Sequence, residues 1–131
     1  MREILFRGKR VDDGELVISD SLMQVKGQNP RLWVEFDGWV EVLPKTVGQF
    51  TGLTDESGEK IFEGDVVKTR EFGKDSGYGV NFNGFDVFEV IYSSASFKLN
   101  NARRAFYLLN GQRIEVIGNI YDNSELLGET K

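Results

Sequence analysis

A chain of 131 residues, 40% apolar and 28% charged, suits one domain or two closely packed subdomains and can bury a core without metal or disulfide support. It contains no His and no Cys, which removes the commonest general base, thiol nucleophiles, disulfides and the usual structural zinc sites. The formal net charge of -5 argues against a general affinity for nucleic acid or anionic membrane, leaving only local basic patches to consider. The start is charged again at Arg7 after Ile4-Leu5-Phe6, too short for a signal-peptide core. No apolar run is long enough to span a membrane, so a cytosolic protein is expected.

Glycines beside Asp, Asn or Ser, with Pro only at Pro30 and Pro44, are the punctuation of tight turns between short strands, and the predicted fold is mainly β. The first unit is a hairpin from Glu3–Arg10 to Glu15–Ser19 across Val11-Asp12-Asp13-Gly14, where Gly supplies positive φ. Ser19-Asp20-Ser21 fits either a turn or the cap of a short helix. Leu32–Phe36 and Trp39–Leu43 flank Asp37-Gly38, a strong hairpin signal. A two-residue turn there would pair Phe36 with Trp39 and Trp33 with Val42. Pro44-Lys45 then reads as a subdomain junction.

Beyond it the pattern predicts a strand over Val47–Leu53, a polar turn over Thr54–Lys60, an apolar Ile61-Phe62 and, after a Gly64-Asp65 turn, a strand starting at Val66. The Gly-rich stretch from Gly73 to Gly84 reads as a long loop. Phe85–Tyr92, Phe97–Leu99 and Ala105–Leu109 are predicted strands, followed by an Asn110-Gly111 turn and a strand over Arg113–Ile117. Asn123-Ser124-Glu125-Leu126-Leu127 before Gly128 predicts a single helical turn.

Motifs that carry chemistry are scarce. Gly8-Lys9 and Gly73-Lys74 are followed by Arg10 and Asp75, not the Ser or Thr of a phosphate-binding loop, and Gly77-Tyr78-Gly79 lacks the context of a dinucleotide fingerprint. Asp55-Glu56-Ser57-Gly58-Glu59 lacks the ligand pattern of a calcium loop and reads as a solvated turn. Asp65 with Glu63 is the nearest carboxylate pair for a hydrolase, although a Gly-Asp step entering a strand is explained by turn geometry. Ser93-Ser94-Ala95-Ser96 has no His, and Lys98 stands at the wrong spacing to activate Ser96. Arg2, Arg7, Lys9 and Arg10 beside Phe6, and Arg103-Arg104 near Phe106 and Tyr107, combine charge with aromatics as single-stranded nucleic-acid sites do. Strand edges use such cations to block unwanted pairing, and that reading is preferred. The residues therefore assign no catalytic, cofactor-binding or metal site.

Two blocks, Val47-Gly48-Gln49-Phe50-Thr51-Gly52-Leu53-Thr54-Asp55-Glu56-Ser57-Gly58-Glu59-Lys60-Ile61-Phe62-Glu63-Gly64-Asp65-Val66-Val67-Lys68 and Glu115-Val116-Ile117-Gly118-Asn119-Ile120-Tyr121-Asp122-Asn123-Ser124-Glu125-Leu126-Leu127, resemble the YopX family of phage and prophage proteins, as does the opening Ile4-Leu5-Phe6-Arg7-Gly8. Phe50 stands where the family often has Tyr, and Ser124 where it often has Pro. The resemblance implies a phage or prophage setting, an SH3-like β-barrel or roll in the C-terminal part, and no catalytic residue to carry over. The motif positions read structurally: Gly52, Gly58 and Gly64 as turns, Ile61, Val66, Ile117 and Ile120 as core, Asn119 as a side chain that pairs with backbone.

Together these readings predict a hairpin-rich subdomain over residues 1–45 packed on a small barrel over 46–131, with at most one or two helical turns. The expected role is a non-catalytic protein-binding or assembly module in a bacterial host's cytoplasm, without cofactor. A carboxylate-dependent hydrolase using Asp65 and a nucleic-acid-binding module are the alternatives. A homo-oligomer is expected because the hairpin bearing Trp33, Phe36 and Trp39 has apolar residues on both faces.

Overall fold

The computed structural model describes residues 3–69, 86–101, 105–108 and 113–128. It is mainly β, and the chain divides into two compact units, Met1–Gly52 and Leu53–Lys131. Among the described residues no helix is long and apolar enough to cross a membrane.

In the first unit, β1 (Phe6–Lys9) and β2 (Leu16–Ser19) form the predicted antiparallel hairpin, with Lys9 opposite Leu16 and Phe6 opposite Ser19. Gly14 takes φ +77° in the connecting turn, a conformation open to Gly and strained for most other residues. The other edge of β1 pairs with the start of β6 (Gly48–Thr54), Arg7 opposite Gly48. A second sheet has the order β3 (Leu22–Met23), β4 (Arg31–Val34), β5 (Gly38–Glu41), so Ser19-Asp20-Ser21 is a turn between strands and caps no helix. A bridge between Arg10 and Val42 joins the two sheets. Gly8 makes the approach possible: a Cβ there would sit 3.1 Å from the Val42 Cβ. A 3-10 turn at Pro44–Thr46 follows; the Thr46 hydroxyl accepts from the Lys9 amide at 2.9 Å and donates to the Leu43 carbonyl at 2.6 Å. Leu32, Val40, Val42 and Phe50 are buried apolar side chains of this unit.

The β4–β5 hairpin differs from its sequence prediction. Trp33 lies opposite Trp39 and Val34 opposite Gly38, so the turn is Glu35-Phe36-Asp37, and Asp37-Gly38 is not a two-residue loop. The Asp37 amide donates to the Val34 carbonyl at 3.1 Å, and Arg10 holds the Asp37 carboxylate at 2.7 Å. The cause is burial. The expected register would have turned Leu32 away from Val40, because an odd shift in pairing exchanges the two faces of a strand. In the observed register Leu32 faces Val40 and both are buried.

In the second unit β6 ends and the chain turns through residues 55–59 into β7 (Lys60–Phe62). Five antiparallel strands follow in the order β11 (Ala105–Tyr107), β10 (Ser96–Asn100), β9 (Asp86–Ser93), β8 (Asp65–Thr69), β12 (Ile114–Asn119). The sheet curls into a half-barrel. Its core is Ile61, Val67, Phe88, Val90, Leu99, Leu108 and Ile114, with Leu53, Phe97, Phe106 and Val116 packed around them. Val116 pairs with Val67 but Gly118 with Val66, so Ile117 is the extra residue of a bulge, a device that increases strand bend and twist. The β9–β10 turn is Ser94-Ala95, with φ +52° and +65°, the two positive values of a type I′ turn. A single helical turn, α1 (Glu125–Gly128), closes the described chain. The predicted loop over Gly73–Gly84 and the Asn110-Gly111 turn lie outside the described residues.

Asp55 closes the curl. Its carboxylate is buried, and Oδ1 accepts from the Ser57 amide at 2.9 Å, the Ser57 hydroxyl at 2.8 Å and the Glu59 amide at 2.9 Å. Oδ2 accepts from the Val116 amide at 2.9 Å, while the Glu56 amide donates to the Ile114 carbonyl at 3.1 Å. One turn thus satisfies the outward edge of β12, which a half-barrel would otherwise leave open. The segment is the turn the sequence predicts, but its leading acid is not solvated. Burial by itself would push the Asp55 carboxyl up; the bonds from Val116, Ser57 and Glu59 outweigh it and hold the group below the usual carboxylate range.

Candidate interaction face

Alternation along β4 and β5 sends Leu32 and Val40 inward and Arg31, Trp33, Trp39 and Glu41 outward. The outward side is aromatic where a solvated face is ordinarily polar. Trp33 and Trp39 are 48% and 42% exposed, with ring centroids 5.5 Å apart at an interplanar angle of 73°. At the hairpin tip Phe36 is 97% exposed and takes φ +74°, a conformation that disfavours a bulky side chain. Arg31 and Glu41 stand opposite one another at the base of this face. Among the described residues neither makes an ion pair: Arg31 donates to the Gln28 side-chain carbonyl at 3.1 Å, and Glu41 accepts from the Asn29 amide group at 2.8 Å. Met23 is the cross-strand partner of Arg31.

Arg10 organises the hairpin's end. Its guanidinium meets Asp12 through two bonds of 2.9 Å, Asp37 at 2.7 Å and Asp13 at 3.6 Å. The bonds to Asp12 and then Asp37 raise its pKa further above the ordinary arginine value, and Arg10 in return lowers Asp12.

The remaining sequence candidates are dispersed or occupied. Of the first basic cluster, Arg7 is buried, Arg10 is neutralised by carboxylates, and Arg2 lies outside the described residues. Arg103-Arg104 also lie outside them. Phe106 packs edge-on against Phe88 at 5.9 Å, whereas Tyr107 is exposed beneath the Lys98 ammonium at 5.5 Å. These two residues line an open hollow of about 300 Å³ with Ala105 and Phe106. Asp65 is buried and accepts from the Phe62 amide at 2.8 Å, the turn role that a Gly-Asp step suggests. Ser94 forms the tip of the β9–β10 hairpin. Asn119 pairs with backbone as expected, its carbonyl accepting from the amides of Tyr121 and Asp122 at 2.9 Å each. No group of three acidic side chains among the described residues is placed to hold a metal ion.

Two features escaped the sequence. Glu89 on β9 has its carboxyl raised by burial and then by the nearby charge of Glu63; Glu63 lies in the turn between β7 and β8, and no local motif joins the two. The charges at the base of the aromatic face were missed because they depend on a register that the Asp-Gly signal misplaced.

The YopX protein family model matches residues 5–128. This chain belongs to the YopX family. Among solved structures, the crystal structure of protein EF1440 from Enterococcus faecalis is similar, with a TM-score of 0.54 at 22% identity over 97% of this chain and 99% of that one. At that identity the likeness supports a shared fold. A search of curated proteins found no match. The described fold places the two YopX-like blocks structurally: Gly52, Gly58 and Gly64 all have positive φ, and Ile61 and Val66 are fully buried.

Proposed function

We propose that this YopX-family chain is a non-catalytic protein-binding or assembly module, phage or prophage encoded and acting in the bacterial host's cytoplasm. The observation that carries the reading is the exposed Trp33–Trp39 pair on one face of a three-stranded sheet, with the exposed Phe36 at the hairpin tip. Aromatic clusters set within polar surface are the usual anchors of protein interfaces. Protein is preferred to nucleic acid because the net charge is -5 and Arg10 is held by acids of its own chain. The test is retention of proteins from induced host cells on the intact chain and on Trp33→Ser. Retention lost in the variant supports the reading. Tight, salt-sensitive binding to DNA or RNA with no Trp-dependent protein partner reverses it.

One observation bears on a second reading, a carboxylate-dependent hydrolase: the Glu89 carboxyl is raised by burial and then by the charge of Glu63, and a raised acid near a second carboxylate is one part of a glycosidase's equipment. Turnover of chromogenic glycosides that vanishes in Glu89→Gln with the fold intact would support it. Absence of turnover in the wild type removes it.

A further inference from the structure

We infer that the Trp33–Trp39 face is occupied by a second copy of this chain, in a two-fold dimer whose axis runs along the β4–β5 hairpin between its strands. This rests on the protein-binding reading and names its partner. Trp33 and Trp39 are register partners, and so are Arg31 and Glu41. A two-fold rotation about the hairpin's long axis lays β4 of one copy over β5 of the other. Trp33 then meets the other copy's Trp39, and Arg31 meets the other copy's Glu41. Every contact occurs twice, as an isologous interface requires.

Charge supports a second copy over a foreign partner. Arg31 and Glu41 share a face, have opposite signs and, among the described residues, their side chains are held by the neutral side chains of Gln28 and Asn29. Such a pair is complementary to its own image under this rotation, and each new ion pair would lie at the rim of an aromatic patch. A two-fold axis across the strands would instead oppose Trp33 to Trp33 and carry Arg31 away from Glu41.

Area sets the strength. At 48%, 42% and 97% exposure for Trp33, Trp39 and Phe36, and roughly 150–250 Å² per aromatic side chain, the rings offer about 400 Å² per copy. With Arg31, Glu41 and Met23 as rim, two copies would bury about 1,000 Å², the lower bound of a specific interface. The dimer is therefore weak and reversible.

Light scattering coupled to size exclusion, or sedimentation equilibrium, tests this between about 1 and 300 μM, the range in which interfaces of this size dissociate. The wild-type mass should climb from one chain toward two, and Trp39→Glu should stay at one. The decisive arm is a charge exchange. Arg31→Glu alone and Glu41→Arg alone each place like charges together in a homodimer and should associate at least tenfold more weakly. Their equimolar mixture pairs opposite charges at both ends and should recover wild-type association. Matching circular dichroism of both variants shows that they fold, and recovery on mixing cannot come from misfolding. A wild type that remains one chain at 300 μM overturns the inference, and so does a mixture of folded variants no stronger than its components. If the wild type remains one chain yet retains a host protein through Trp33, the dimer fails and the protein-binding reading stands.

Discussion

Replacing Asp55 with Asn changes one oxygen to a donor and leaves the side chain's shape intact. Four donors converge on the carboxylate: Ser57 and Glu59 amides and the Ser57 hydroxyl on Oδ1, the Val116 amide on Oδ2. An Asn side chain has one acceptor atom, so either the turn or Val116 faces an NH₂ group. Hydrogen bonds to a charged acceptor contribute about 1.5–3 kcal/mol each, and a buried donor left unmade costs about 1–3 kcal/mol. Losing the Val116 bond while keeping the turn predicts a destabilisation of about 2–4 kcal/mol at neutral pH.

The pH dependence separates this account from a packing defect. The Asp55 carboxyl is lower in the folded state than in the unfolded chain. Its stabilisation is thus fully present above the ordinary aspartate pKa and is lost as pH falls through the folded value. The stability gap between wild type and Asp55→Asn should be widest near pH 7 and narrow below about pH 4. Both tryptophans lie in the first unit and Asp55 in the second, so a probe of β structure in both units is preferred to their fluorescence. Urea unfolding followed by far-ultraviolet circular dichroism, with hydrogen exchange at the Val116 amide, reads it directly. A gap under about 0.5 kcal/mol, the scale of an ordinary surface substitution, or one unchanged between pH 7 and pH 3.5, would refute the argument.

Further expectations follow from single positions. Ala95→Gly, at φ +65° in the two-residue β9–β10 turn, should raise stability by about 0.5–1 kcal/mol in urea titrations, since Gly adopts positive φ without a Cβ clash. Phe36→Asn, at φ +74° and 97% exposed, should likewise stabilise the first unit by about 0.5–1 kcal/mol, read by tryptophan fluorescence. Gly118→Ala should cost about 1–3 kcal/mol, because its Cβ would lie 2.5 Å from the Asn123 side-chain oxygen that accepts from the Asn119 amide; an unchanged thermal midpoint would contradict it. Glu89 has the opposite sign to Asp55: its folded pKa is raised, so stability falls as pH rises from the ordinary glutamate value through the folded one. Glu89→Gln should therefore be more stable than wild type at pH 7, and the two should converge near pH 4 in chemical denaturation.

Much of the fold was legible because its signals are local. Gly14 marked the first hairpin, the aromatic and β-branched runs marked β9 and β10, and Asn119 announced its backbone pairing; each effect acts within a few residues. Asp55 was not legible in the same way. The sequence Asp55–Glu59 describes a turn, and the turn is there, but the bond to Val116 spans 61 positions. No local pattern shows that an acid in a polar stretch will be buried. Glu89 is similar, since its carboxyl is raised first by burial and then by Glu63 in the turn before β8.

The β4–β5 hairpin shows how a long-range contact overrides a strong local preference and, in doing so, creates a surface. Asp37-Gly38 alone favours a two-residue turn, which would place Trp33 beside Val42. Leu32 and Val42 are both fully buried, and only a register that keeps β4's aliphatic side inward satisfies both. That register needs a longer turn, with Phe36 in a conformation costly for its side chain. Arg10 helps offset the cost by binding Asp37 across from Asp12. With the aliphatic side chains inward, Trp33 and Trp39 become opposed neighbours on the outer face, and Arg31 and Glu41 fall into line beneath them. The aromatic face is thus a consequence of the core's demand on register. What the core does not explain is why the outward positions hold tryptophan, since Thr or Lys would serve a solvated strand as well, and it is this excess over the needs of folding that points to a partner.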